Sequence, residues 1–317
     1  MAVYTPVSAE VLAGFLARYD VGELVSAKGI AEGVENTNYL VDTTTGRFIL
    51  TLYEKRVAGG DLPYFMALLD HLAARGNPVP PAIRDRAGDA IQTLEGRPAC
   101  LIQFLPGVSV THPTPAQARA AGAAMGKMHG GLADFAPTRV NSMGVATWQP
   151  LLERCGTDLE RIEPRLFERV AANLKDVLRA WPTGLPTAPI HADLFPDNVL
   201  MRGDRVAGLI DFYFACTDIR AFDLAIMHTA WAFSPDGRTI DLAVGKALVD
   251  GYDSAFGLSP AERAKMTVLA QGACLRFFLS RAWDWLNTPP DALVTRKDPM
   301  AYLRRHAMYV AMDDLFA

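Results

Sequence analysis

The stretch "HADLFPDNVL", His191 to Leu200, places a His, two Asp and an Asn among apolar residues within eight positions. Asp193 and Asn198 are separated by a segment containing Phe195–Pro196, which favours a tight turn. Their D-x-x-x-x-N spacing is that of the catalytic loop in phosphoryl-transfer enzymes. A carboxylate in such a loop can orient a hydroxyl nucleophile and accept its proton. The stretch therefore predicts that Asp193 is a catalytic base.

A metal site is predicted from the same loop and the hairpin that follows it. The amide oxygen of Asn198 can return to the cleft after the turn, and Asp211 ends an apolar run in "GLIDFYFA", residues 208–215. Oxygen ligands of this kind suit Mg²⁺. We therefore predict that Asn198 and Asp211 bind the metal ion. Of the neighbouring carboxylates, Asp197 is interpreted as a turn residue and Asp223 as a cap or anchor of a helix.

The first hundred residues favour a small antiparallel sheet. β-rich runs alternate with turn residues, and a periodic helix pattern from Leu62 to Leu72 ends near Gly76. The predicted strands form two hairpins and a preceding strand: "LVSAKGI" (24–30), "NYLVD" (38–42) with "RFILTLY" (47–53), and "AIQTLEG" (90–96) with "RPACLIQFL" (97–105).

The rest of the chain favours helices. Helical patterns cover 115–130, 164–180, 239–256 and 260–286, and the segments 198–202 and 206–212 are the only strand-like pieces among them. Thr114 with Gln117, and Ser259 with Glu262, form predicted capping boxes. We therefore predict an α+β, bilobal protein-kinase-like fold. Its nucleotide-binding lobe spans 1–105, and its helical lobe, with the catalytic loop and acceptor pocket, spans 106–317.

Composition excludes several classes of partner. The formal charge is −4 and the pI about 5.9, so we expect neither nucleic-acid nor membrane-surface binding. The first residues lack a signal-peptide pattern, and no apolar run reaches the roughly 20 residues of a membrane span. The four cysteines are far apart, which favours reduced thiols and a cytoplasmic location. A monomer or small homo-oligomer is expected.

The first lobe is expected to hold the nucleotide. The loop within 28–41 carries Gly29 and Gly33, which permit a turn over phosphates, although an ordinary hairpin loop is the alternative. The segment "CLIQFLPG", 100–107, would pass the adenine as a hinge, although it could be a plain linker. The predicted ATP-binding residues are Gly33, Asn36, Asn38, Gln103 and Leu105.

Together these motifs resemble the family of aminoglycoside phosphotransferases and choline kinases, which has a protein-kinase-like fold. Co-linear blocks over residues 1–310 narrow the resemblance to bacterial homoserine kinases: "KGIAEGVENTNYLV", "FILTLYEKR", "HADLFPDNVL", "GLIDFYFAC", "RFFLSRAWDWLNTPP" and "TRKDPMAYLRR". The resemblance implies transfer of the γ-phosphate of ATP, with Mg²⁺, to the hydroxyl of L-homoserine, a step in threonine biosynthesis.

One position departs from the broader kinase pattern. The third strand carries Thr51 where the pattern has a Lys, and Phe65 occupies the expected position of its partner Glu. Lys55, Arg56 or the loop backbone is left to contact the phosphates. The departure concerns the phosphate contacts and leaves the predicted activity unchanged.

Homoserine is a zwitterion, so its pocket needs both a cation and an anion. Arg276, Ser280 and Asp284 recur at helical spacing, and Arg281 stands three residues before Asp284. With His191, the three charged residues of this helix are the predicted substrate-binding residues. An intrahelical ion pair is the alternative reading of the same pattern.

Three other functions stay open on the sequence alone. A choline-type kinase would use an aromatic cage, for which Trp231, Trp283 and Trp285 are available. An aminoglycoside phosphotransferase would need an acidic pocket wall, which the mixed charges of the last 47 residues disfavour. A non-catalytic nucleotide-binding pseudokinase is disfavoured by the intact set of Asp193, Asn198 and Asp211.

Overall fold

The structure, a computed structural model, describes residues 5–30, 36–54, 59–288, 296–312 and 315–316. The chain forms two compact units, of which the first comprises Met1–Pro106 and Gly208–Tyr213. The second comprises Gly107–Ala207 and Phe214–Ala317. The predicted division lay one residue earlier and did not include the returning segment 208–213 in the first unit. That segment is tied in where the Leu209 N–H donates to the Pro78 carbonyl oxygen at 2.7 Å.

The first unit is built on an antiparallel sheet. Its strands are β1 (Leu24–Gly29), β2 (Thr37–Thr43), β3 (Arg47–Leu52), β4 (Ala82–Ile83), β5 (Gln92–Leu94) and β6 (Arg97–Gln103). They lie in the order β1–β2–β3–β6–β4, and β5 pairs with β6. The predicted hairpins are β2–β3 and β5–β6, and both are confirmed.

One face of this sheet forms the core of the first unit. Side chains alternate along β2, so that Tyr39 and Val41 point to the same buried face. Helix α1 (Ala9–Leu16) covers that face with Leu12, Phe15 and Leu16. Ser8 caps α1 by accepting a hydrogen bond from the Val11 N–H. A second helix, α2 (Leu62–Ala74), ends close to its predicted end.

The second unit is mainly helical. Its helices are α3 (Pro115–Gly131), α4 (Trp148–Cys155), α5 (Leu166–Ala180), α6 (Arg220–Trp231), α7 (Leu242–Ala255), α8 (Pro260–Arg263), α9 (Met266–Asn287) and α10 (Met300–Ala311). Two small sheets are formed by β7 (Thr187–Ile190) with β10 (Cys216–Ile219), and by β8 (Val199–Arg202) with β9 (Arg205–Leu209). Among the described ranges, no helix has the length and apolar character to cross a membrane.

Most predicted helices are confirmed, and three expectations are corrected. Both capping boxes are present. The β7–β10 pair was not predicted, because each strand has four residues and β7 contains Pro189, which removes the usual strand signal. The predicted helix 260–286 is interrupted at Ala264–Lys265, where the Lys265 N–H bonds back to Glu262. Asp211 lies two residues beyond β9 instead of ending it.

Helices α3 and α7 cross at very short range, and two glycines allow the approach. A Cβ on Gly122 would lie 2.0 Å from the Leu248 carbonyl oxygen, and one on Gly251 would lie 2.1 Å from that of Arg119. No larger residue fits at either position without displacing the partner backbone. The crossing matters for the site because α3 and α7 each contribute a side chain to the buried network described below.

Candidate active site

The predicted catalytic loop leaves β7 and enters β8 through one turn of 3₁₀ helix, Pro196–Asn198. This turn returns Asn198 to Asp193. The Asn198 Nδ2 donates to the Asp193 carbonyl oxygen at 2.8 Å and lies 3.5 Å from the carboxylate Oδ2. Because the amide nitrogen is engaged, the amide oxygen is the atom that Asn198 can offer to a cation. The structure thus brings these two predicted residues together.

Asp223, in the first turn of α6, anchors the backbone of this loop. It is fully buried and accepts hydrogen bonds from the N–H groups of His191, at 2.8 Å, and Ala192, at 2.7 Å. Ala192 has φ +63°, a left-handed conformation that is unfavourable for a residue with a Cβ. The bonds to Asp223 hold this conformation. Asp223 thus has the anchoring role predicted for it, because it joins α6 to His129 of α3, and it also holds the backbone of the predicted catalytic loop.

A buried histidine and tyrosine support Asp223 from behind. His129 of α3 places its Nε2 3.0 Å from the Asp223 carboxylate, and its Nδ1 lies 2.8 Å from the Tyr252 hydroxyl of α7. Burial alone would raise the pKa of Asp223, but His129 and the loop N–H groups hold that pKa below its ordinary value. Asp223 therefore remains an ionised acceptor for the loop.

Three further side chains fix the loop on either side of Asp193. Arg276 donates from Nη1 to the Ala192 carbonyl oxygen, and Trp231 donates from Nε1 to that of Leu194 at 3.0 Å. The His191 Nδ1 accepts a hydrogen bond from the Asp193 N–H at 3.2 Å. Two of the side chains predicted to bind substrate, His191 and Arg276, are thus buried and engaged with the loop backbone.

Arg281 and Asp284, two predicted substrate-binding residues of α9, have different surroundings. Arg281 is partly buried, and its guanidinium carbon lies 4.5 Å from the centroid of the Tyr302 ring. Asp284 is exposed one turn further along the helix. Ser280, between Arg276 and Asp284 in the predicted pattern, donates to the Phe277 carbonyl oxygen within the helix. The helical spacing therefore does not place Ser280 and Asp284 in one environment with Arg281.

Asp211 belongs to the first compact unit, whereas Asp193 and Asn198 belong to the second. It has φ +66°, in the left-handed region that Asp tolerates better than most residues. Two residues on, the Tyr213 hydroxyl lies 3.0 Å from that of Tyr53. Burial raises the pKa of Tyr213, and the Asp211 charge adds to that shift. The backbone after β9 is thus turned sharply at the predicted metal ligand.

The predicted nucleotide-binding residues of the first unit lie on and beside its strands. Asn38 of β2 accepts a hydrogen bond from the Thr51 hydroxyl of β3 at 2.7 Å. Asn36 is buried, and its Oδ1 accepts a hydrogen bond from the Glu54 N–H at 3.4 Å. Gln103 ends β6 with its N–H donated to Pro81 at 3.1 Å, and Leu105 lies two residues further on. Gly33 falls outside the described residues, as do Lys55 and Arg56.

Two buried residues, Thr51 and Phe65, occupy the positions where the broader kinase pattern has an ion pair. Thr51 is almost fully buried in β3, and Phe65 is fully buried in α2. The Phe65 ring meets the Tyr213 ring edge to face at 5.7 Å, and Tyr53 meets Tyr213 in the same way at 5.2 Å. In the described part of this unit, Phe65 therefore packs in an aromatic cluster with Tyr53 and Tyr213 at the position where the broader pattern has the Glu of the Lys–Glu pair.

Several supporting residues were missed from the sequence: His129, Tyr252, Trp231 and Tyr302. They are far from the loop along the chain, and no spacing rule links them to it. Asp223 did carry a signal, because it is the one carboxylate in "AFDLAIMHTAW", a helix that is otherwise almost entirely buried. A lone buried carboxylate needs partners, and here they are the loop amides.

Comparison with known proteins relates the whole chain to kinases. The model of the phosphotransferase enzyme family matches residues 26–258. A homoserine kinase of Methylobacterium nodulans is 52% identical over 314 residues, covering 99% of this chain and 98% of the relative. A homoserine kinase of Zymomonas mobilis subsp. mobilis is 52% identical over 312 residues, covering 98% and 97%.

A solved structure supports the predicted fold. An amicoumacin kinase in complex with AMP-PNP, Ca²⁺ and Ami has a TM-score of 0.74 and 14% identity, with 96% of this chain and 94% of that chain covered. At that identity the likeness concerns the fold alone. The predicted α+β, protein-kinase-like fold is therefore confirmed.

Proposed function

This chain belongs to the phosphotransferase enzyme family, and we propose that it acts within that family as a homoserine kinase. The observation that carries the proposal is 52% identity to homoserine kinases over nearly the full length of both chains. The reaction transfers the γ-phosphate of ATP to the side-chain hydroxyl of L-homoserine, giving O-phospho-L-homoserine and ADP, a step in threonine biosynthesis.

In the proposed reaction Asp193 orients the acceptor hydroxyl and accepts its proton. The hydroxyl oxygen forms a bond to the γ-phosphorus while the bond to the β–γ bridging oxygen breaks, and ADP leaves with that electron pair. Catalysis of this kind depends on the positioning of the reacting groups and on electrostatic stabilisation of the transferred phosphoryl group. Support comes from the loop itself, whose amides and carbonyls around Asp193 are bound by Asp223, Arg276 and Trp231. We assign His191 and Arg276 to positioning this loop.

We propose Mg²⁺ as the metal and Asn198 and Asp211 as its protein ligands. Among the described residues, no three His, Cys, Asp or Glu side chains cluster as a metal site. The fit is instead to a cation held by a few protein oxygens and by the nucleotide phosphates, as Mg²⁺ usually is. The engaged nitrogen of Asn198 supports this, because it leaves the amide oxygen as the ligand. Bound there, Mg²⁺ would neutralise the phosphate charge.

The nucleotide is assigned to the first unit. The proposed contacts are the Gly33 loop with Asn36 and Asn38 for the phosphates, and the backbone of Gln103 and Leu105 for the adenine. The Gln103 N–H already donates a hydrogen bond to the Pro81 carbonyl oxygen. The proposed backbone contact of Gln103 with the adenine is therefore made by its carbonyl oxygen. Asn38 is oriented by Thr51, the residue in the position of the usual Lys, so this pair is the proposed local replacement for a cationic contact.

The tryptophans available for a choline cage are engaged elsewhere. Trp231 is buried, and its indole N–H is bonded to the catalytic loop. Trp283 lies under the Arg154 guanidinium at 4.2 Å, and Trp285 lies 5.7 Å from that of Arg296. A ring already facing a guanidinium does not suit a quaternary ammonium ligand. These contacts favour an amino-acid acceptor over choline.

We place the enzyme in the cytoplasm with ATP and the small-molecule acceptor as its partners. The four cysteines are unpaired and buried, as a reducing compartment allows. The monomer or small homo-oligomer expected from the sequence stays a prediction, as does the absence of a nucleic-acid or membrane partner.

Product analysis tests the proposed function. The purified chain with ATP, Mg²⁺ and L-homoserine should give ADP and a phosphate monoester in equal amounts, followed by ³¹P NMR. ATP consumption that yields only inorganic phosphate would contradict the proposal. An absence of both products in a protein that binds ATP would also contradict the proposal, and repeating the assay with choline and an aminoglycoside would then separate a kinase of another acceptor from a pseudokinase.

A further inference from the structure

A stack of aromatic rings connects the catalytic loop to α9 and α10. The Phe195 ring, two residues after Asp193, lies 4.9 Å from that of Phe277. Phe277 in turn stacks on Tyr302 at 5.0 Å with an interplanar angle of 27°. The rings place Tyr302 in one continuous packed layer with the loop that carries the proposed base.

Three guanidinium groups surround this stack. Arg276 lies 4.4 Å from the Phe277 ring centroid, and Arg281 and Arg305 lie 4.5 and 4.4 Å from that of Tyr302. We call Arg276, Arg281, Tyr302 and Arg305 the arginine–tyrosine cluster. Among the described residues, no carboxylate lies within salt-bridge distance of any of the three arginines. Buried cations are normally paired, so the cluster carries positive charge that no carboxylate of the described residues neutralises by direct contact, although the charge of Asp193 acts on Arg276 and Arg281.

The three arginines differ in what their N–H groups already bind. Arg276 donates to the Ala192 carbonyl oxygen, and Arg305 donates to those of Thr229, Ser234 and Pro235. Arg281 makes no hydrogen bond to any described residue, and it is only partly buried. Burial lowers the pKa of Arg281, and the charge of Asp193 is among the influences that oppose this shift. Arg276 and Arg305 each leave a buried Nε without a partner among the described residues. Arg281 is therefore the member of the cluster whose whole guanidinium group is not engaged by the described residues.

The Tyr302 hydroxyl is the second available group. Tyr302 is fully buried, yet its hydroxyl oxygen has no hydrogen-bond partner in the described part of the protein. A buried hydroxyl without a partner is unfavourable, and such groups usually acquire their partner from a ligand or water. The Arg281 guanidinium lies over the ring that carries this hydroxyl. A hydroxyl and a planar guanidinium fork are both donors that a carboxylate accepts.

We propose that Arg281 and the Tyr302 hydroxyl bind the α-carboxylate of the acceptor, and that Arg276 and Arg305 supply additional positive charge around it. This inference rests on the proposed function, because it requires the acceptor to be homoserine. The carboxylate carbon of homoserine is four bonds from the reacting hydroxyl oxygen. The cluster thereby selects amino-acid acceptors over amino alcohols. A site built to bind a carboxylate disfavours an analogue without one, because its own donors are then left unpaired.

The test compares Tyr302→Phe with the wild-type enzyme on two acceptors. L-Homoserine has the carboxylate, and 3-aminopropan-1-ol has the same hydroxyl and amine without it. We expect Tyr302→Phe to lower kcat/KM for homoserine about 10- to 100-fold. The value for 3-aminopropan-1-ol and the KM for ATP should stay unchanged. Where turnover of the amino alcohol is too slow to follow, its inhibition constant against homoserine serves instead.

Two further variants sharpen the comparison. Arg281→Lys keeps the charge but loses the planar fork, so it should retain more homoserine activity than Arg281→Met. Tyr19→Phe is the matched control, because Tyr19 is another buried tyrosine whose hydroxyl has no partner among the described residues, and it lies in the first unit. It should leave both acceptors unaffected. Should the Arg281 variants fail to fold, the Tyr302→Phe result still decides.

Several outcomes would overturn the inference. An equal loss on both acceptors would show a structural role for the hydroxyl, and a raised KM for ATP would show that the cluster serves the nucleotide. Unchanged kinetics on homoserine would exclude the hydroxyl from the site. If the wild-type enzyme does not phosphorylate homoserine at all, the proposed function fails first, and the carboxylate assignment fails with it.

Discussion

At the level of single residues, Asp193 is the residue on which the proposed chemistry depends. Asp193→Asn keeps the shape of the side chain but removes its ability to accept a proton. We expect kcat for homoserine to fall by about 100-fold or more, with little change in stability. Steady-state kinetics together with a urea denaturation curve would measure both quantities. Near-normal turnover in a well-folded variant would exclude Asp193 as the base.

A substitution at Asp223 tests whether the hydrogen bonds that fix the backbone of the predicted catalytic loop are needed for activity. Asp223→Asn converts one acceptor oxygen into a donor, so one loop N–H loses its partner. We expect a lower kcat, by about tenfold or more, and a loss of about 1–3 kcal/mol in the free energy of unfolding. The control is Asp241→Asn, an N-cap where Asn serves equally well. A kcat equal to wild type would show that the bonds to Asp223 do not position the loop.

At the level of single residues, the proximity of Asp193 and Asn198 could be predicted from the sequence because the two residues are close along the chain. Four residues that form one turn separate them, and a turn of that length has few conformations. The support for the loop was not predictable in the same way. Its contacts with His129, Trp231 and Arg276 join segments far apart along the chain, and they depend on how whole helices pack.

At the level of secondary-structure elements, the crossing of α3 and α7 is the most constrained contact. Gly122→Ala would place a methyl carbon 2.0 Å from the Leu248 carbonyl oxygen, so the helices would have to separate. We expect a loss of about 3 kcal/mol in the free energy of unfolding. The matched control in the same helix is Gly130→Ala, whose Cβ would meet Phe256 at an ordinary 3.6 Å. It should stabilise α3 by about 0.5–1 kcal/mol.

Chemical denaturation of the two alanine variants would measure this difference. Equal stabilities would contradict the close crossing. The crossing also carries His129 and Tyr252, so Gly122→Ala should lower kcat in addition to stability, whereas Gly130→Ala should not.

Elements were predictable where their signal was local. The hairpins β2–β3 and β5–β6 alternate and turn at polar or glycine residues, and the capping boxes mark α3 and α8. Helix α6 had no apolar stripe to detect, because nearly all its residues are buried. Strands β7 and β10 were missed because four residues give too short a pattern.

For the whole molecule, buried histidines set the first response to acid. Burial lowers the pKa of His228 to about 3 and that of His306 to about 4, against an ordinary value of 6.5. Below pH 6.5 these two histidines therefore bind protons in the unfolded chain but stay neutral in the folded chain. The free energy of unfolding falls as the pH drops. Each imidazole should contribute at most about 1.4 kcal/mol per pH unit until the folded pKa is reached.

Denaturation curves at pH 7.5, 6.5 and 5.5 would measure that dependence. His306→Gln should reduce the slope between pH 6.5 and 5.5 by about one proton, because the titrating group is removed. The carboxylates with lowered pKa values lose their charge only at lower pH, so they contribute little in this window. A free energy of unfolding that is constant from pH 6.5 to 5.5 would contradict the neutral, buried state of these histidines.

The choice of acceptor is the central claim, and a competition assay tests it most directly. The enzyme would be given ATP, Mg²⁺ and equal concentrations of L-homoserine, 3-aminopropan-1-ol, choline and an aminoglycoside. Mass spectrometry of the phosphorylated products at low conversion then reports the ratios of kcat/KM in one mixture. We predict that O-phospho-L-homoserine is the dominant product. Predominance of phosphocholine or of a phosphorylated aminoglycoside, with no phosphohomoserine, would contradict the proposed function.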